Sequence, residues 1–319
     1  MKTAIIGLGG QGKKYALSLA EHPEWGMELS AISTRGEENQ KWARENLPSS
    51  VYIAGGEEEL YAKGDFDALI ITTPHKLHPD IALRAFAEGK HVLCDKPAGV
   101  SVGAARQMEE AAREASLYYG LIFHQKCQPK YKKVKEILEA GTLGKITRMG
   151  MENTLYFRTR FYHSSGSWRS SWKGEGGGAL INQGHHFLCL WQWLFGLPES
   201  MYAHIPFGKY NDFAVDDEAL LVMNYPGKVT GTFFISTREA VSRERLEIAG
   251  ERGSLLLEGQ NLTLTLYDQD LMDYAENALC TDARGLSFTT SRGEFPQAED
   301  PYGEIFRDFA RAVNDYIKQ

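Results

Sequence analysis

The feature that most constrains the fold is a regular alternation of short apolar runs with helix-forming segments in the first part of the chain. Lys2 to Gly7 is an apolar run that ends in glycines, and Gly12 to Glu21 carries its apolar residues at helical spacing. The same order then repeats, with strands expected at 28–33, 51–53, 67–72, 91–94 and 117–123 and helices at 37–46, 79–88 and 101–115. Helices that join successive buried strands predict a parallel sheet. Residues 1–122 are therefore predicted to form a doubly wound α/β domain.

Beyond residue 122 the pattern becomes dominated by strands. Helices are expected at 130–140 and 179–195, a long strand from Lys145, and a meander of strands at 218–225, 228–236, 244–249, 254–258 and 261–267. An amphipathic helix at 302–317 closes the chain. Residues 123–319 are thus predicted to form one α+β domain on a large, mostly antiparallel open sheet, whose open face suits a dimer.

Charge and composition exclude several classes of function. The chain of 319 residues carries 35 basic and 42 acidic side chains, and a net charge of −7 without a basic run argues against binding of nucleic acid or of a membrane surface. No apolar run approaches the roughly 20 residues of a membrane span, and no leader sequence is recognisable, so we expect a cytoplasmic protein. The four cysteines are scattered without metal-ligand spacing, which predicts reduced thiols and no metal site.

A glycine motif lies between the first strand and the first helix. It fits the pattern G-x-G-x-x-G and consists of Gly7, Leu8, Gly9, Gly10, Gln11 and Gly12. In dinucleotide-binding proteins the first glycine allows a tight turn, the second lets the backbone approach a pyrophosphate, and the third lets the helix pack closely. The helix N-terminus adds N–H groups and a positive dipole end. Within this alternating pattern, the motif favours a dinucleotide site over the alternative of a purely structural glycine turn.

The end of the second strand bears on the choice of cofactor. NAD enzymes usually present Asp or Glu to the adenosine ribose here, whereas this chain has Ser33, Thr34 and Arg35. Two hydroxyls and a guanidinium can hydrogen-bond and neutralise a 2′-phosphate, which a carboxylate would repel. We therefore expect NADP rather than NAD. The alternative is that Arg35 is a solvated loop charge.

Another loop at the same edge of the sheet follows the strand at 67–72. It comprises Thr72, Thr73, Pro74 and His75. Because ligands of open α/β sheets bind at the carboxyl ends of the strands, we expect this turn to line the cofactor. His78 follows just before the next helix, and it is expected either to line the cofactor as well or only to cap that helix.

Two further segments carry a family resemblance. They are HVLCDKP at 91–97 and GGGALINQGHH at 176–186. Together with the glycine motif they resemble the glucose-fructose oxidoreductase / inositol dehydrogenase (GFO/IDH/MocA) family over essentially the whole chain, with Asp95 in place of a glutamate and Asn182 in place of an aspartate. The resemblance implies a Rossmann dinucleotide-binding domain, a substrate domain whose open sheet builds a homo-oligomer (dimer or tetramer), and NAD(P)-linked oxidation or reduction of sugars or cyclitols.

The resemblance also implies an active-site lysine and histidine, which match Lys96 and His186. Lys96, with Asp95 before it, would lie near the nicotinamide, and its ammonium can polarise a substrate oxygen. Asn182 and His186 are four residues apart at the start of a predicted helix, so both can meet one hydroxyl, whose proton His186 can take. An amide cannot supply the charge of an aspartate, so the division of roles between Lys96 and His186 stays open. The alternative for His186 is a histidine of the core.

The segment before the glycine run is rich in aromatic and basic residues. Rings and guanidinium groups suit stacking on sugar faces and bonding of hydroxyls or phosphates. The additional substrate-binding candidates are Tyr156, Arg158, Tyr162, His163 and, beside the predicted base, His185. By resemblance, Trp168, Arg169 and Tyr302 reach the cofactor from the second domain. The alternative is an aromatic loop that packs between the domains.

These observations predict an NAD(P)-dependent oxidoreductase that transfers a hydride between the nicotinamide and a secondary alcohol or ketone of a sugar, sugar derivative or cyclitol. Two alternatives stay open. A glycosidase related to this family would oxidise and re-reduce the sugar on a tightly held NAD, without net redox change. A non-catalytic nucleotide or sugar sensor would keep the fold, and the presence of both Lys96 and His186 ranks it last.

Overall fold

The computed structural model describes residues 1–164, 169–210 and 212–317. Its contacts divide the chain into two compact units. The first unit comprises Met1–His124, Gly174–Gly176 and Asp300–Gln319, and the second unit comprises Gln125–Lys173 and Gly177–Glu299. The first crossing lies close to the boundary expected near residue 122, but the chain returns to the first unit twice.

Strands and helices alternate in the first unit, and strands dominate the second. The strands are β1 (Lys2–Ile6), β2 (Glu28–Ser33), β3 (Tyr52–Ala54), β4 (Ala68–Ile71), β5 (His91–Asp95), β6 (Tyr119–Ile122), β7 (Ile146–Asn153), β8 (Ser200–His204), β9 (Glu218–Tyr225), β10 (Val229–Ser236), β11 (Glu244–Gly250), β12 (Gly253–Glu258), β13 (Asn261–Tyr267) and β14 (Phe288–Glu294). The helices are α1 (Gly10–Glu21), α2 (Glu37–Asn46), α3 (Glu57–Lys63), α4 (His78–Ala87), α5 (Val102–Glu114), α6 (Pro129–Glu139), α7 (Arg160–Ser164), α8 (His185–Phe195), α9 (Leu271–Asn277) and α10 (Pro301–Ile317). None of the helices in the described part of the chain combines the length and apolar character of a membrane span.

The first unit is built on a parallel sheet. In the described residues its six strands have the order β3-β2-β1-β4-β5-β6, and neighbouring strands pair in parallel. The order reverses between β1 and β4, and in such sheets the crevice outside the carboxyl ends at this reversal is the usual ligand site. β4 is buried along its whole length, as expected for a strand covered on both faces.

Apolar layers cover both faces of this sheet. Ile5 and Ile70 belong to one layer, which also holds residues of α1, and the alternate positions Ala4 and Leu69 belong to the other layer, which holds residues of α4 and α5. Successive side chains of a strand point to opposite faces, so each strand contributes to both layers. The doubly wound α/β architecture predicted from the sequence is confirmed.

The C-terminal helix belongs to the first unit, which differs from its assignment to the second domain in the sequence analysis. Phe306, Phe309 and Val313 of α10 are buried in the same core as Tyr15 of α1. The rings of Tyr15 and Phe306 meet edge to face, with their centroids 5.5 Å apart. Helical spacing identifies the buried face of such a helix but not the element that this face contacts.

The second unit is built on a mostly antiparallel sheet. In the described residues its order is β14-β13-β12-β11-β7-β10-β9-β8, with one parallel pairing, between β7 and β10. β7 therefore separates β10 from β11, so these strands do not form the simple meander expected from their closeness in sequence. Helices α6 and α8 cover one face, where the Trp191 indole lies so close to Gly231 that a Cβ on this glycine would approach it to 2.6 Å.

We expect Phe306→Ala to lower the free energy of unfolding by about 3–5 kcal/mol, because a cavity replaces a fully buried ring. Arg311→Ala, on the exposed side of the same helix, should change it by less than about 0.5 kcal/mol. Urea unfolding of the full chain followed by circular dichroism measures both values. Equal losses in the two variants would show that α10 does not belong to the core of the first unit.

Candidate functional site

The glycine motif forms a tight turn between β1 and α1. Gly7 has a φ of +98°, a conformation that favours glycine, and its N–H donates to the Ser33 carbonyl at 3.1 Å. A Cβ on Gly12 would lie 2.2 Å from the Gly7 carbonyl oxygen and 2.7 Å from Thr72 Oγ1. The first and last glycines are therefore required by the close approach of the helix to the two strands.

The middle of the motif faces open space. A Cβ built on Gly9 or Gly10 would meet no atom within 4 Å among the described residues. Helix α1 begins at Gly10, and within the same part of the chain no side chain caps its first N–H groups and no acidic residue occupies its first turn. Exposed N–H groups at the positive end of a helix dipole suit the pyrophosphate of a dinucleotide. The turn thus fits the cofactor that the motif predicts.

A cavity of about 480 Å³ adjoins this turn. Its lining comes from the carboxyl ends of β1, β2 and β4 and from the helices that follow: Ile6, Gly7, Ser33, Thr34, Arg35, Glu57, Thr73, Leu77, Asp80, Ile81 and Arg84. Arg84 is held by Glu58 at 2.5 and 2.9 Å, whereas exposed Arg35 forms no ion pair with any described residue. The cavity also receives two carboxylates, Glu57 and Asp80, which the sequence analysis did not identify.

The turn after β4 closes the other side of this crevice. Thr72 Oγ1 donates to the Gly7 carbonyl at 2.6 Å, which ties the turn to the glycine motif. Thr73 Oγ1 is buried without a hydrogen-bond partner among the described residues, so a bound ligand is free to supply one. His75 is also buried, and its Nδ1 lies 3.3 Å from the Glu175 carbonyl oxygen.

His78 uses both ring nitrogens within the protein. Its Nδ1 lies 2.8 Å from the Pro97 carbonyl oxygen and its Nε2 lies 2.7 Å from the Thr73 carbonyl oxygen, and the residue is 1% exposed. The side chain therefore connects the turn after β4 with the turn after β5. It makes no capping hydrogen bond to α4, and it has no ring nitrogen left for a cofactor.

Lys96 follows a buried carboxyl group at the end of β5. Asp95 Oδ1 accepts a hydrogen bond from the Lys96 backbone N–H at 2.9 Å and one from the Tyr15 hydroxyl at 3.4 Å. Burial raises the pKa of Asp95, and the neighbouring Lys96 ammonium opposes this rise. Burial and the charge of Asp95 also raise the pKa of Tyr15 well above its ordinary value, so this hydroxyl stays a donor.

His124 is a further member of this cluster that the sequence analysis missed. It follows β6, and its ring centroid lies 5.3 Å from that of Tyr302, which in turn lies 5.1 Å from that of Tyr15. Burial, with repulsion from Lys96, lowers the pKa of His124 to about 4. Tyr302 was expected to act from the second domain, but it belongs to the first unit. His124 stands two residues past the end of β6, at the carboxyl-terminal edge of the parallel sheet where ligands of such sheets bind.

The glycine run of the second unit packs on a buried aspartate. The Asp216 carboxylate accepts hydrogen bonds from the backbone N–H of Gly178 at 2.9 Å and of Leu180 at 2.7 Å, and a Cβ on Gly178 would lie 1.8 Å from the Asp216 carbonyl oxygen. The chain then forms a π-helical turn, Leu180–Gly184, before α8. Such turns occur frequently at functional sites, and this one replaces the regular helix expected from residue 179.

Asn182 and His186 lie on this π-helical turn and on the first turn of α8. The Asn182 amide donates to the Tyr162 hydroxyl at 3.4 Å and accepts from Gln183 Nε2 at 2.7 Å. His186 is buried, and its ring stacks on that of His185 with the centroids 4.7 Å apart. The two histidine rings therefore lie side by side, although regular helical geometry separates neighbouring side chains by about 100°.

The remaining substrate-loop candidates lie in the second unit, around Tyr162. The guanidinium groups of Arg158 and Arg169 both stack on its ring, Arg158 also stacks on Tyr156, and His163 bonds to Ser170. Trp168 lies outside the described residues. Within the described ranges, no cluster of three or more His, Cys, Asp or Glu side chains is arranged to hold a metal ion.

We expect the low pKa of His124 to make stability depend on pH. Between about pH 6.5 and pH 4 the unfolded chain binds a proton at this ring that the folded chain does not, so stability is complete above about pH 6.5 and falls as the pH decreases towards 4. The loss through this group amounts to roughly 2–3 kcal/mol. Urea unfolding at pH 7 and pH 4.5 measures the loss of unfolding free energy between the two pH values. This loss should be smaller in His124→Phe than in the wild type, because phenylalanine keeps a ring beside Tyr302 but cannot titrate. A titration of the His124 ring near pH 6.5, measured by NMR in the folded protein, would contradict this expectation.

Comparisons with known proteins agree with this architecture. Residues 1–123 match the model of the oxidoreductase family with an NAD-binding Rossmann fold, and residues 131–256 match the GFO/IDH/MocA C-terminal domain. The chain is 26% identical over 258 residues to trans-1,2-dihydrobenzene-1,2-diol dehydrogenase of Bos taurus, covering 79% of this chain and 72% of that protein. It is 26% identical over 285 residues to 1,5-anhydro-D-fructose reductase of Ensifer adhaerens, covering 86% of this chain and 81% of that protein.

A solved structure shares the fold over nearly the whole chain. Levoglucosan dehydrogenase in complex with NADH superimposes with a TM-score of 0.79 at 20% identity, covering 99% of this chain and 90% of that chain. The two family models cover most of the sequence, and the relatives that match it over most of their length are dehydrogenases and reductases. The chain belongs to the GFO/IDH/MocA family of oxidoreductases, with an NAD-binding Rossmann domain at its N-terminus.

Proposed function

We propose that this protein transfers a hydride between NADP(H) and a secondary alcohol or ketone of a sugar, sugar derivative or cyclitol. The proposal rests on the groups that the structure brings to the carboxyl-terminal edge of the first unit's sheet. There, an uncapped glycine turn opens towards a cavity, and Lys96 stands beside a buried carboxyl group and a neutral histidine. The relatives named above act on a cyclic diol, an anhydro sugar and levoglucosan, and this supports a polyhydroxylated substrate.

The bound nicotinamide supplies the hydride acceptor or donor of the reaction. We propose that the Lys96 ammonium binds the substrate oxygen and stabilises the charge that develops on it. The Asp95 carboxyl group positions the backbone of Lys96, and His124 stays neutral beside it, so that it adds no second positive charge. His186 holds the proton of the substrate hydroxyl, and Asn182 orients that hydroxyl as a hydrogen-bonding group.

Preference for NADP over NAD is supported by the cavity next to the glycine turn. Ser33 and Thr34 contribute hydroxyl-bearing side chains to its wall, and Arg35 contributes a cation that is not engaged by a carboxylate of the described residues. Glu57 and Asp80 line the same cavity and oppose a 2′-phosphate, so the preference depends on Arg35. His78 supports the turns around this cavity in this proposal and does not contact the cofactor.

We also propose that the open face of the second unit's sheet builds a homo-oligomer. The outward side chains of β7, β9, β10 and β11 surround a cavity of about 330 Å³, and they combine Leu220 and Phe234 with the charged pair Arg148 and Glu247. Apolar side chains surrounded by paired charges suit a protein interface. A cytoplasmic location is part of the proposal, because the four cysteines, all within the described residues, form no disulfide.

For the cofactor, we expect NADPH to bind at micromolar concentrations and more tightly than NADH. Arg35→Ala should weaken NADPH binding by about tenfold and leave NADH binding unchanged, since only NADPH carries the 2′-phosphate. Asp80→Asn should strengthen NADPH binding, because it removes a negative charge from the same cavity. Titrations followed by nicotinamide fluorescence measure the affinities of the wild type, Arg35→Ala and Asp80→Asn for both cofactors. An equal effect of Arg35→Ala on both cofactors would exclude the contact between Arg35 and the 2′-phosphate. Co-purification of tightly held NAD would favour the glycosidase. Binding of neither cofactor would favour the sensor.

For the chemical step, we expect Lys96→Met and His186→Ala each to lower turnover by about a hundredfold, because each removes a group that handles charge or a proton on the substrate. Cofactor affinity should stay within about twofold of the wild type in both variants. Lys14→Met, which removes an exposed lysine of α1, is the matched control and should retain full turnover. Steady-state assays over a panel of keto sugars and cyclitols provide the rates. Near-normal turnover in either variant would remove that residue from the mechanism.

A further inference from the structure

A buried aspartate of the second unit holds the start of the π-helical turn with both oxygens of its carboxylate. Asp216 is 4% exposed. Its Oδ1 accepts from the Gly178 N–H at 2.9 Å, and its Oδ2 accepts from the Leu180 N–H at 2.7 Å. Its backbone carbonyl accepts a third hydrogen bond, from the Ala179 N–H at 2.8 Å. The N–H groups of three consecutive residues are therefore tied to one residue of a distant segment.

Each carboxylate oxygen is connected through one residue to the backbone of a site candidate. On the Oδ1 side, the Gly178 carbonyl accepts from the Asn182 N–H at 3.0 Å. On the Oδ2 side, the Leu180 carbonyl accepts from the N–H of His185, which directly precedes His186. This second hydrogen bond spans five residues instead of four, which is the defining bond of a π-helix. The contacts of Asp216 thus bear on the register in which the chain leaves the glycine run.

The turn does not hold this register with groups of its own. Among the described residues, no side chain of the turn caps it, and its first turn contains no acidic residue. Asp216 supplies the acceptors and the negative charge that stabilise the N-terminus of a helix. Because π-helical turns are rare, the expected alternative is a regular helix, in which the His185 N–H would bond to the Ile181 carbonyl. A change of register by one residue rotates the following side chains by about 100°.

The backbone that carries Asp216 is itself fixed. Asp216 pairs with Phe207 in an isolated β-bridge, and the carbonyl of the next residue, Asp217, accepts from the Thr237 N–H at 3.0 Å. A Cβ on Gly178 would lie 1.8 Å from the Asp216 carbonyl oxygen, so the glycine run and the aspartate are in direct backbone contact. The carboxylate therefore holds the π-helical turn from a rigid support.

We infer that Asp216 is a positioning residue for the chemical step, because its carboxylate holds the π-helical turn in the register that presents Asn182 and His186 to the substrate. Asp216 acts through the backbone of the turn and does not touch the substrate. Both of its oxygens are needed as acceptors. An asparagine keeps the shape but replaces one oxygen by an NH₂ group, which is a donor facing a backbone donor. This inference rests on the proposed function, because it concerns the groups proposed there to handle the substrate hydroxyl.

The first test compares turnover of the full-length Asp216→Asn and Asp270→Asn proteins over the panel of keto sugars and cyclitols. Asp270 caps α9 of the same unit and accepts from the Met272 N–H at 2.9 Å, so the control makes the same chemical change at another helix N-terminus. At saturating NADPH, Asp216→Asn should lower kcat by at least about tenfold, since small displacements of reacting groups are costly. Its affinity for NADPH should stay within about twofold. Asp270→Asn should keep full turnover.

A double-mutant cycle separates positioning from a general loss of structure. In His186→Ala, the further change Asp216→Asn should lower the residual turnover by no more than about threefold, because a group that it positions is absent. Ile248→Val removes a methyl group from the buried core of the same unit, away from this turn, and should keep turnover although its melting temperature falls. Equal losses through Asp216→Asn with and without His186, or a comparable loss in Ile248→Val, would overturn the inference.

A second measurement needs no turnover. The stacked rings of His185 and His186, with centroids 4.7 Å apart, shift each other's NMR signals, which His185→Ala and His186→Ala assign. Asp216→Asn should move the signals of both rings, and Asp270→Asn should move neither. Signals that stay in place in Asp216→Asn overturn the inference even where sugars are turned over. A wild type that turns over no sugar or cyclitol contradicts the proposed function, whereas signals that move in Asp216→Asn still support the hold of Asp216 on the two histidines.

Discussion

The close approach of helix α1 to the ends of β1 and β4 is the constraint on which the first unit depends. Gly12 lies so close to the Gly7 carbonyl and the Thr72 hydroxyl that no side chain larger than a hydrogen atom fits at this position. This contact brings the N-terminus of α1 to the reversal point of the sheet and orients its N–H groups towards the open side of the turn. The same approach places Tyr15, one turn further along α1, where its hydroxyl reaches Asp95. The cofactor turn and the lysine loop are thus positioned by one backbone contact.

Much of this first unit was predictable because its signals are local. The boundaries of β2 and α2 agree with the sequence pattern, and Ser101 caps α5 by accepting from the Ala104 N–H at 3.2 Å. Elements without such signals were missed. Helix α3 begins with three glutamates and buries a single leucine, β8 is exposed along its whole length, and β14 is exposed at nearly every position. A strand at the edge of a sheet lacks the alternation of buried and exposed residues from which a strand is predicted.

The parts of the candidate site that depend on tertiary contacts could not be predicted from motifs. The sequence identifies Asp95 and Lys96 through a short signature, but the partners of the carboxyl group, and His124 beside the lysine, follow from the order of the strands in the sheet. The π-helical turn before α8 also depends on a tertiary contact. The Leu180 N–H donates to the Asp216 carboxylate, which lies 36 residues further along the chain. Local spacing therefore predicted a helix but could not predict its irregular first turn.

The two departures from the family pattern have different physical consequences. Asp95 is shorter than glutamate, and its carboxyl group accepts from the N–H of the next residue, so its charge stays close to the backbone from which Lys96 extends. Asn182, by contrast, places a neutral amide where the family pattern has a charged carboxylate. An aspartate at this position would place a carboxylate within hydrogen-bonding distance of the Tyr162 hydroxyl, next to the guanidinium group of Arg169. With an amide at this position, the Tyr162 hydroxyl accepts a hydrogen bond from a neutral group. The substitution therefore replaces the carboxylate that the family pattern places four residues before His186 with a neutral amide.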